Sequence, residues 1–240
     1  MNSTCLNLMP ESYLDVKVSL DKNLFEIGKE IFSFFVSEGK FVSTHFDNDT
    51  DECFRKAAWI DFSNESMQLI DRQQWELLNK IEKYLDTTVT NVKVERLNTV
   101  SNADKILNNI SRFSNISTNG YTDNCSVLGT RAWHTDHKDD LNAINFIVYL
   151  NDIDYGMGGV HIVEPVQSPV TGQSTGTFTF SEEIKSEDVP FKEYIGQAGT
   201  VVAFNGHVIH RANIPRHSYR EVLHFVIHSN LKKHYAEPYL

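Results

Sequence analysis

The 240 residues are ample for one domain with a sizeable core, and they fall within the roughly 200 to 250 residues that a single β-barrel or sandwich occupies. With 32 acidic and 22 basic side chains the net charge is −10, which excludes a general attraction to nucleic acid or to an anionic membrane and leaves room only for a local basic site for an anion. Cys5, Cys53 and Cys125 are odd in number and far apart, unlike a disulfide framework; no long apolar run or basic-then-apolar leader is present, so a cytoplasmic protein is expected.

In chain order, residues 1 to 20 carry Pro10 and alternating Leu14, Val16 and Val18, which predict a lead-in and a short edge strand. From Asp21, a candidate N-cap, Leu24, Ile27, Ile31, Phe34 and Phe35 recur at helical spacing, and Gly39 is the expected stop. A second helix is predicted after Asp71, with Trp75, Leu78, Ile81 and Leu85 on one stripe and Glu76, Asn79, Lys80 and Lys83 outside. Val89, Val92 and Val94 then suggest a strand. Residues 1 to 97 therefore read as a helical buttress with edge strands.

Residues 98 to 125 are rich in Asn, Ser and Thr, a long loop that is either a lid over a site or a disordered insertion. From 126 to 228 the pattern changes to short strands separated by turn residues, expected at 126–134, 143–150, 159–164, 176–180, 199–204, 207–213 and 220–228, with residues 229 to 240 a tail. Helices followed by a run of strands indicate a mainly β domain with N-terminal helices on one side of a sheet, and a closed or double-sheet jelly roll is the usual solution for so many short strands.

The chemistry-bearing stretch is Trp133-His134-Thr135-Asp136. A histidine and a carboxylate two residues apart at a strand end place both side chains on one face. Two imidazoles and one carboxylate on one side of an iron(II) ion leave the other positions open, and His134 and Asp136 are candidates for two of those three ligands. For the third, His207 and His210 fall on opposite faces of an extended strand, so only one qualifies. His210 is chosen because Arg220, ten positions later across a turn containing Pro215, opens the next strand and brings a guanidinium toward it. Such a group holds a distant carboxylate through a charge-assisted fork. His161 is the weakest ligand candidate, His137 points away from Asp136 in an extended chain, and His224 and His228 share a face with Arg220 as interior or ordinary buried histidines.

Together, Trp133-His134-Thr135-Asp136, the Tyr149-Leu150-Asn151 strand end, the Gly158-Gly159 turn, Gly199 to Phe204, His210 and Arg220 resemble the Fe(II)- and 2-oxoglutarate-dependent dioxygenases, particularly the phytanoyl-CoA dioxygenase-like and prolyl-hydroxylase-like branches. The resemblance covers roughly residues 126 to 228. It implies a double-stranded β-helix, the cupin-like jelly roll, with His134, Asp136 and His210 as iron ligands. It also implies Arg220 on the far carboxylate of 2-oxoglutarate, O2 as oxidant, and succinate and CO2 as products. A lysine is usual at that position in the prolyl-hydroxylase-like branch, so Arg220 tilts the comparison away from it. Asp136 stands where halogenating members carry a small residue, so hydroxylation or another oxidation is expected.

On the strand from Ala143 to Leu150, Asn145 and Tyr149 share one face and Ile144, Phe146 and Val148 the other. Either polar group is a candidate to hydrogen-bond 2-oxoglutarate, and Tyr149 is equally placed to anchor a turn. Arg131, on the face of Trp133, either meets an anionic substrate at the rim or forms a surface ion pair. The leading expectation is oxidation of a small molecule such as an amino acid or specialised metabolite. Hydroxylation of a protein side chain and a non-catalytic metal-binding jelly-roll module are the alternatives.

Overall fold

The computed structural model describes residues 3–11, 15–46, 52–60, 72–101, 142–163, 191–206, 208 and 210–228. The expected strands at 126–134 and 176–180, the loop at 98–125 beyond its first four residues, and the tail lie outside the described residues.

Among the described residues three helices, α1 (Ser3–Leu8), α2 (Lys22–Ser37) and α3 (Arg72–Leu85), accompany ten strands: β1 (Val16–Leu20), β2 (Val42–Phe46), β3 (Cys53–Ile60), β4 (Val89–Asn98), β5 (Ala143–Tyr149), β6 (Val160–Val163), β7 (Phe191–Tyr194), β8 (Thr200–Asn205), β9 (His210–Ala212) and β10 (Tyr219–His228). Seven strands form one antiparallel sheet in the order β1-β8-β5-β10-β4-β3-β2, and three form a second in the order β7-β6-β9. β10 is the central strand of the larger sheet, paired with β4 on one side and β5 on the other.

The α2 boundary follows its predicted chemistry. Asp21 is extended and its Oδ1 accepts from the Leu24 backbone N–H at 2.9 Å, satisfying one of the helix's orphan donors. The helix stops at Glu38, with Gly39 in the left-handed region at φ 64°. Its buried stripe is Leu24, Gly28, Ile31, Phe32 and Phe35, rotated from the expected one so that Ile27 and Phe34 lie at its margin. On α3 the stripe of Trp75, Leu78, Ile81 and Leu85 is buried as expected, but Asn79, expected outside, is only 6 % exposed. Three features had no counterpart in the sequence reading: α1, the β2–β3 hairpin that extends the larger sheet beyond β4, and β7 of the smaller sheet.

Strand alternation divides the core in two. Phe146 and Val148 of β5, Val201 and Ala203 of β8, and Leu223, Phe225 and Ile227 of β10 pack against α2 and α3, each large side chain worth about 1.5 to 3 kcal/mol on burial. The opposite face contributes Ile147 and Tyr149, Val202 and Phe204, and Val222, which meet Val160 and Ile162 of the smaller sheet. This second, smaller core lies between the two sheets. The candidate site residues that the structure describes lie around it.

Candidate functional site

The inward face of the larger sheet carries polar groups in a defined order. Register sets Val222 opposite Tyr149, His224 opposite Ile147 and Val226 opposite Asn145 on one flank of β10, with Arg220 opposite Leu97 and Val222 opposite Glu95 on the other. Arg220, Val222 and His224 therefore share the inner face with Asn145, Ile147 and Tyr149. Arg220 and Tyr149 lie toward one end. Asn145 and His224 lie toward the other, about 13 Å away along four residues of β10. Ile147, Val202 and Ile162 make the strip between them apolar.

His210 belongs to the Asn145 end. It is opposite Ile162 on β9 and packs on Phe204, which is itself opposite Asn145; the two rings are 4.6 Å apart at 57°. Its Nδ1 is 3.0 Å from the Val208 carbonyl, an acceptor. In a neutral ring Nδ1 then carries the hydrogen and the lone pair stays on Nε2, the arrangement a metal-binding imidazole uses. His224 Nε2 faces an acceptor, Asn145 Oδ1, at 3.0 Å and donates to it, and Asn145 Nδ2 is buried with no acceptor among the described residues. His161 is opposite Arg211, so it sits on the other face of the smaller sheet from His210, stacked on Phe191. His134, Asp136, Arg131, Trp133, His137 and His207 lie outside the described residues.

At the other end Arg220, 3 % exposed, donates from Nη1 to the Gly158 carbonyl at 2.8 Å and from Nη2 to Glu95 Oε1 at 2.9 Å. Glu95 Oε2 accepts from Arg55 Nε at 2.6 Å. Burial alone would raise the Glu95 carboxyl, but Arg55, Lys93 and Arg220 outweigh it and hold the group well below the usual carboxylate range. Arg220 Nε is buried with no acceptor among the described residues. The Gly158 carbonyl is available because Gly158 adopts φ 86°, where a Cβ would stand 2.9 Å from the Asn213 carbonyl oxygen. Asn151 fixes the backbone on both sides of Arg220: Oδ1 accepts from the Glu221 N–H at 2.7 Å and Nδ2 donates to the Tyr219 carbonyl at 3.0 Å.

Tyr149 borders the same end, with its hydroxyl committed to backbone. It donates to the Tyr194 carbonyl at 2.5 Å and accepts from the Val160 N–H at 3.2 Å. Burial pushes the phenol up to about 12, so it stays protonated.

The sequence reading missed Glu95 and Arg55. The signal available, Lys93 and Glu95 at alternate positions of a strand, has the pattern of a solvated face. The described donors suit the cofactors that the family resemblance implies. A lone-pair nitrogen sits at one end, and at the other a buried guanidinium N–H lacks an acceptor, as a carboxylate site requires. Arg55 and Arg220 share the Glu95 carboxylate, one on each oxygen.

No protein-family model matches this sequence, and no curated protein matches it. Among solved structures the chain is similar to the non-heme alpha ketoglutarate dependent epimerase SnoN from nogalamycin biosynthesis, with a TM-score of 0.54 at 12 % identity over 90 % of this chain and 79 % of that one. It is similar also to SnoN in complex with Fe3+, alpha ketoglutarate and nogalamycin RO, with a TM-score of 0.52 at 15 % identity over the same shares of the two chains. A third similarity is to the non-heme alpha ketoglutarate dependent carbocyclase SnoK from nogalamycin biosynthesis, with a TM-score of 0.52 at 10 % identity over 95 % of this chain and 84 % of that one. The likeness is one of fold, and the mainly antiparallel, two-sheet jelly roll is the architecture expected from the sequence.

Proposed function

We propose that this chain is an Fe(II)- and 2-oxoglutarate-dependent oxygenase that oxidises a C–H bond of a small molecule, hydroxylation being the expected outcome. His134, Asp136 and His210 would hold the iron, and Arg220 the far carboxylate of 2-oxoglutarate. The observation that carries this reading is the inner face of the two-sheet core, with the imidazole of His210 toward one end, the buried Arg220 guanidinium toward the other and apolar side chains between. Iron with 2-oxoglutarate supplies oxygen activation, with succinate and CO2 as products.

The chain's own residues position and shield. The Val208 carbonyl orients the His210 ring, and Gly158 and Glu95 fix the guanidinium. Ile147, Val202 and Ile162 exclude water between them. Asn145 Nδ2, at the His210 end, offers a donor to the cosubstrate or substrate, and Tyr149 walls the Arg220 end. Arg131 and Trp133 are the proposed substrate contacts. SnoN and SnoK are described as nogalamycin-biosynthesis enzymes, and this favours a small molecule over a protein side chain as the substrate. No helix among the described residues is long and apolar enough to cross a membrane.

A second reading, a metal-binding jelly-roll module without turnover, draws on the same guanidinium, two of whose nitrogens are already bound by Gly158 and Glu95. Anaerobic protein given Fe(II) and 2-oxoglutarate and then exposed to air separates the two. The oxygenase forms succinate, even without its substrate, and His134→Ala or His210→Ala abolishes it. Stoichiometric iron with no succinate formed sinks the oxygenase reading.

A further inference from the structure

Glu95 enters the site from β4, away from every motif that the sequence displays. It is 2 % exposed, and both its oxygens are used, one on Arg55 and one on Arg220. With Gly158 taking Nη1, the Arg220 guanidinium is held at two of its three nitrogens and cannot swing in its pocket. Nε, the nitrogen left over, is buried without a protein acceptor among the described residues. A rigid, planar group pinned along one edge presents its remaining edge in one direction.

We propose that Glu95, itself clamped by Arg55, is a positioning residue that orients Arg220 so that its Nε edge receives the far carboxylate of the cosubstrate. This rests on the oxygenase reading and deepens it. The opposing account is competition: a carboxylate already on Arg220 would weaken binding of a second. The two accounts predict opposite signs when Glu95 is removed.

The test uses full-length protein loaded with Mn(II), which suppresses turnover, and isothermal titration with 2-oxoglutarate and with 2-oxovalerate. The latter keeps the chelating 2-oxo acid but ends in a methyl group. Wild type prefers 2-oxoglutarate, and Arg220→Gln removes the preference. Glu95→Ala reduces the preference about tenfold, the scale of one charge-assisted hydrogen bond, and leaves 2-oxovalerate binding within about twofold of wild type. Glu95→Gln, which keeps one of the two acceptor oxygens and loses the other, gives a preference between those of wild type and Glu95→Ala. Because Glu95→Ala removes a shared carboxylate from two buried guanidiniums, the double variant Arg55→Met, Glu95→Met, which takes away one of those cations as well, provides a second test, and the same loss is expected.

An undiminished or increased preference in both Glu95-deleted proteins overturns the positioning role while leaving the oxygenase reading intact. An equal loss for both ligands likewise counts against it, since it marks general damage. Wild-type protein that does not distinguish the two ligands defeats the oxygenase reading itself, and the role of Glu95 with it.

Discussion

The hydroxyl of Tyr149, on β5 of the seven-stranded sheet, donates to the backbone carbonyl of Tyr194 on β7 of the three-stranded sheet at 2.5 Å, and accepts from the Val160 N–H on β6. One side chain thus bridges three strands across the interior. Tyr149→Phe leaves a part-buried carbonyl and a buried N–H without that partner, which costs roughly 1 to 3 kcal/mol. A lower urea midpoint with an unchanged slope is the expected result. An unchanged midpoint would show that the bridge adds nothing to stability.

Asn151 holds Arg220 from the backbone side. Asn151→Ala removes the bonds to the Tyr219 carbonyl and the Glu221 N–H, at about 1 to 2 kcal/mol of stability. On the oxygenase reading it also weakens 2-oxoglutarate binding, because the guanidinium's anchor point shifts. Asn151→Asp keeps the acceptor for the Glu221 N–H but sets a carboxylate oxygen against the Tyr219 carbonyl oxygen, so it too is expected to lower stability. Denaturant titration and calorimetry of the same two variants check both effects.

Gly158→Ala should be more damaging than an ordinary turn substitution. The left-handed backbone at φ 86° costs an alanine about 1 to 2 kcal/mol, and its Cβ would press on the Asn213 carbonyl at 2.9 Å and Pro215 Cγ at 2.9 Å. The peptide must move, and with it the carbonyl that holds Arg220 Nη1. Thermal unfolding at a temperature within a degree of wild type would contradict this account.

The pH dependence of stability is expected to report His161. Burial pulls its imidazole below the ordinary 6.5, against the Glu193 carboxylate, with Arg211 and Arg220 adding to the pull. Between the depressed value and 6.5 the unfolded chain binds more protons than the folded one. This group's contribution is complete above 6.5 and is lost as pH falls through the depressed value. Glu95 is lowered too, so its contribution disappears only below the usual carboxylate range, in a separate window. Urea midpoints at about pH 7.5 and about pH 5.5 should differ in wild type, and His161→Gln should narrow the gap.

How much of this was legible in the sequence depended on whether buried positions were apolar. The Asp21 cap, the α3 stripe and the alternation of Asn145 and Tyr149 with Phe146 and Val148 were readable, because apolar residues repeat at the period of the element that buries them. The β3 strand was not. Cys53-Phe54-Arg55-Lys56-Ala57-Ala58-Trp59-Ile60 has no clean alternation, since Arg55 is buried in an ion network while Trp59 is 45 % exposed. Glu95 was missed for the same reason: a charge neutralised by partners from distant strands has the same local spelling as a charge in water. Of the candidate site, His210 and Arg220 are candidates that the sequence names, whereas the contacts that orient them, from Val208, Gly158, Asn151 and Glu95, run largely through backbone or register.

The placement of β10 divides the two ends of the candidate site by how firmly each is held. Arg220 lies on the middle strand of a seven-stranded sheet, hydrogen-bonded along both flanks, whereas β9 carries His210 on a three-residue ladder. Amide protons along the middle of β10 are therefore expected to exchange with solvent more slowly than those of β9. On the oxygenase reading, the cosubstrate's tail meets a surface already rigid, and the metal end gains much of its order from the ion it takes up.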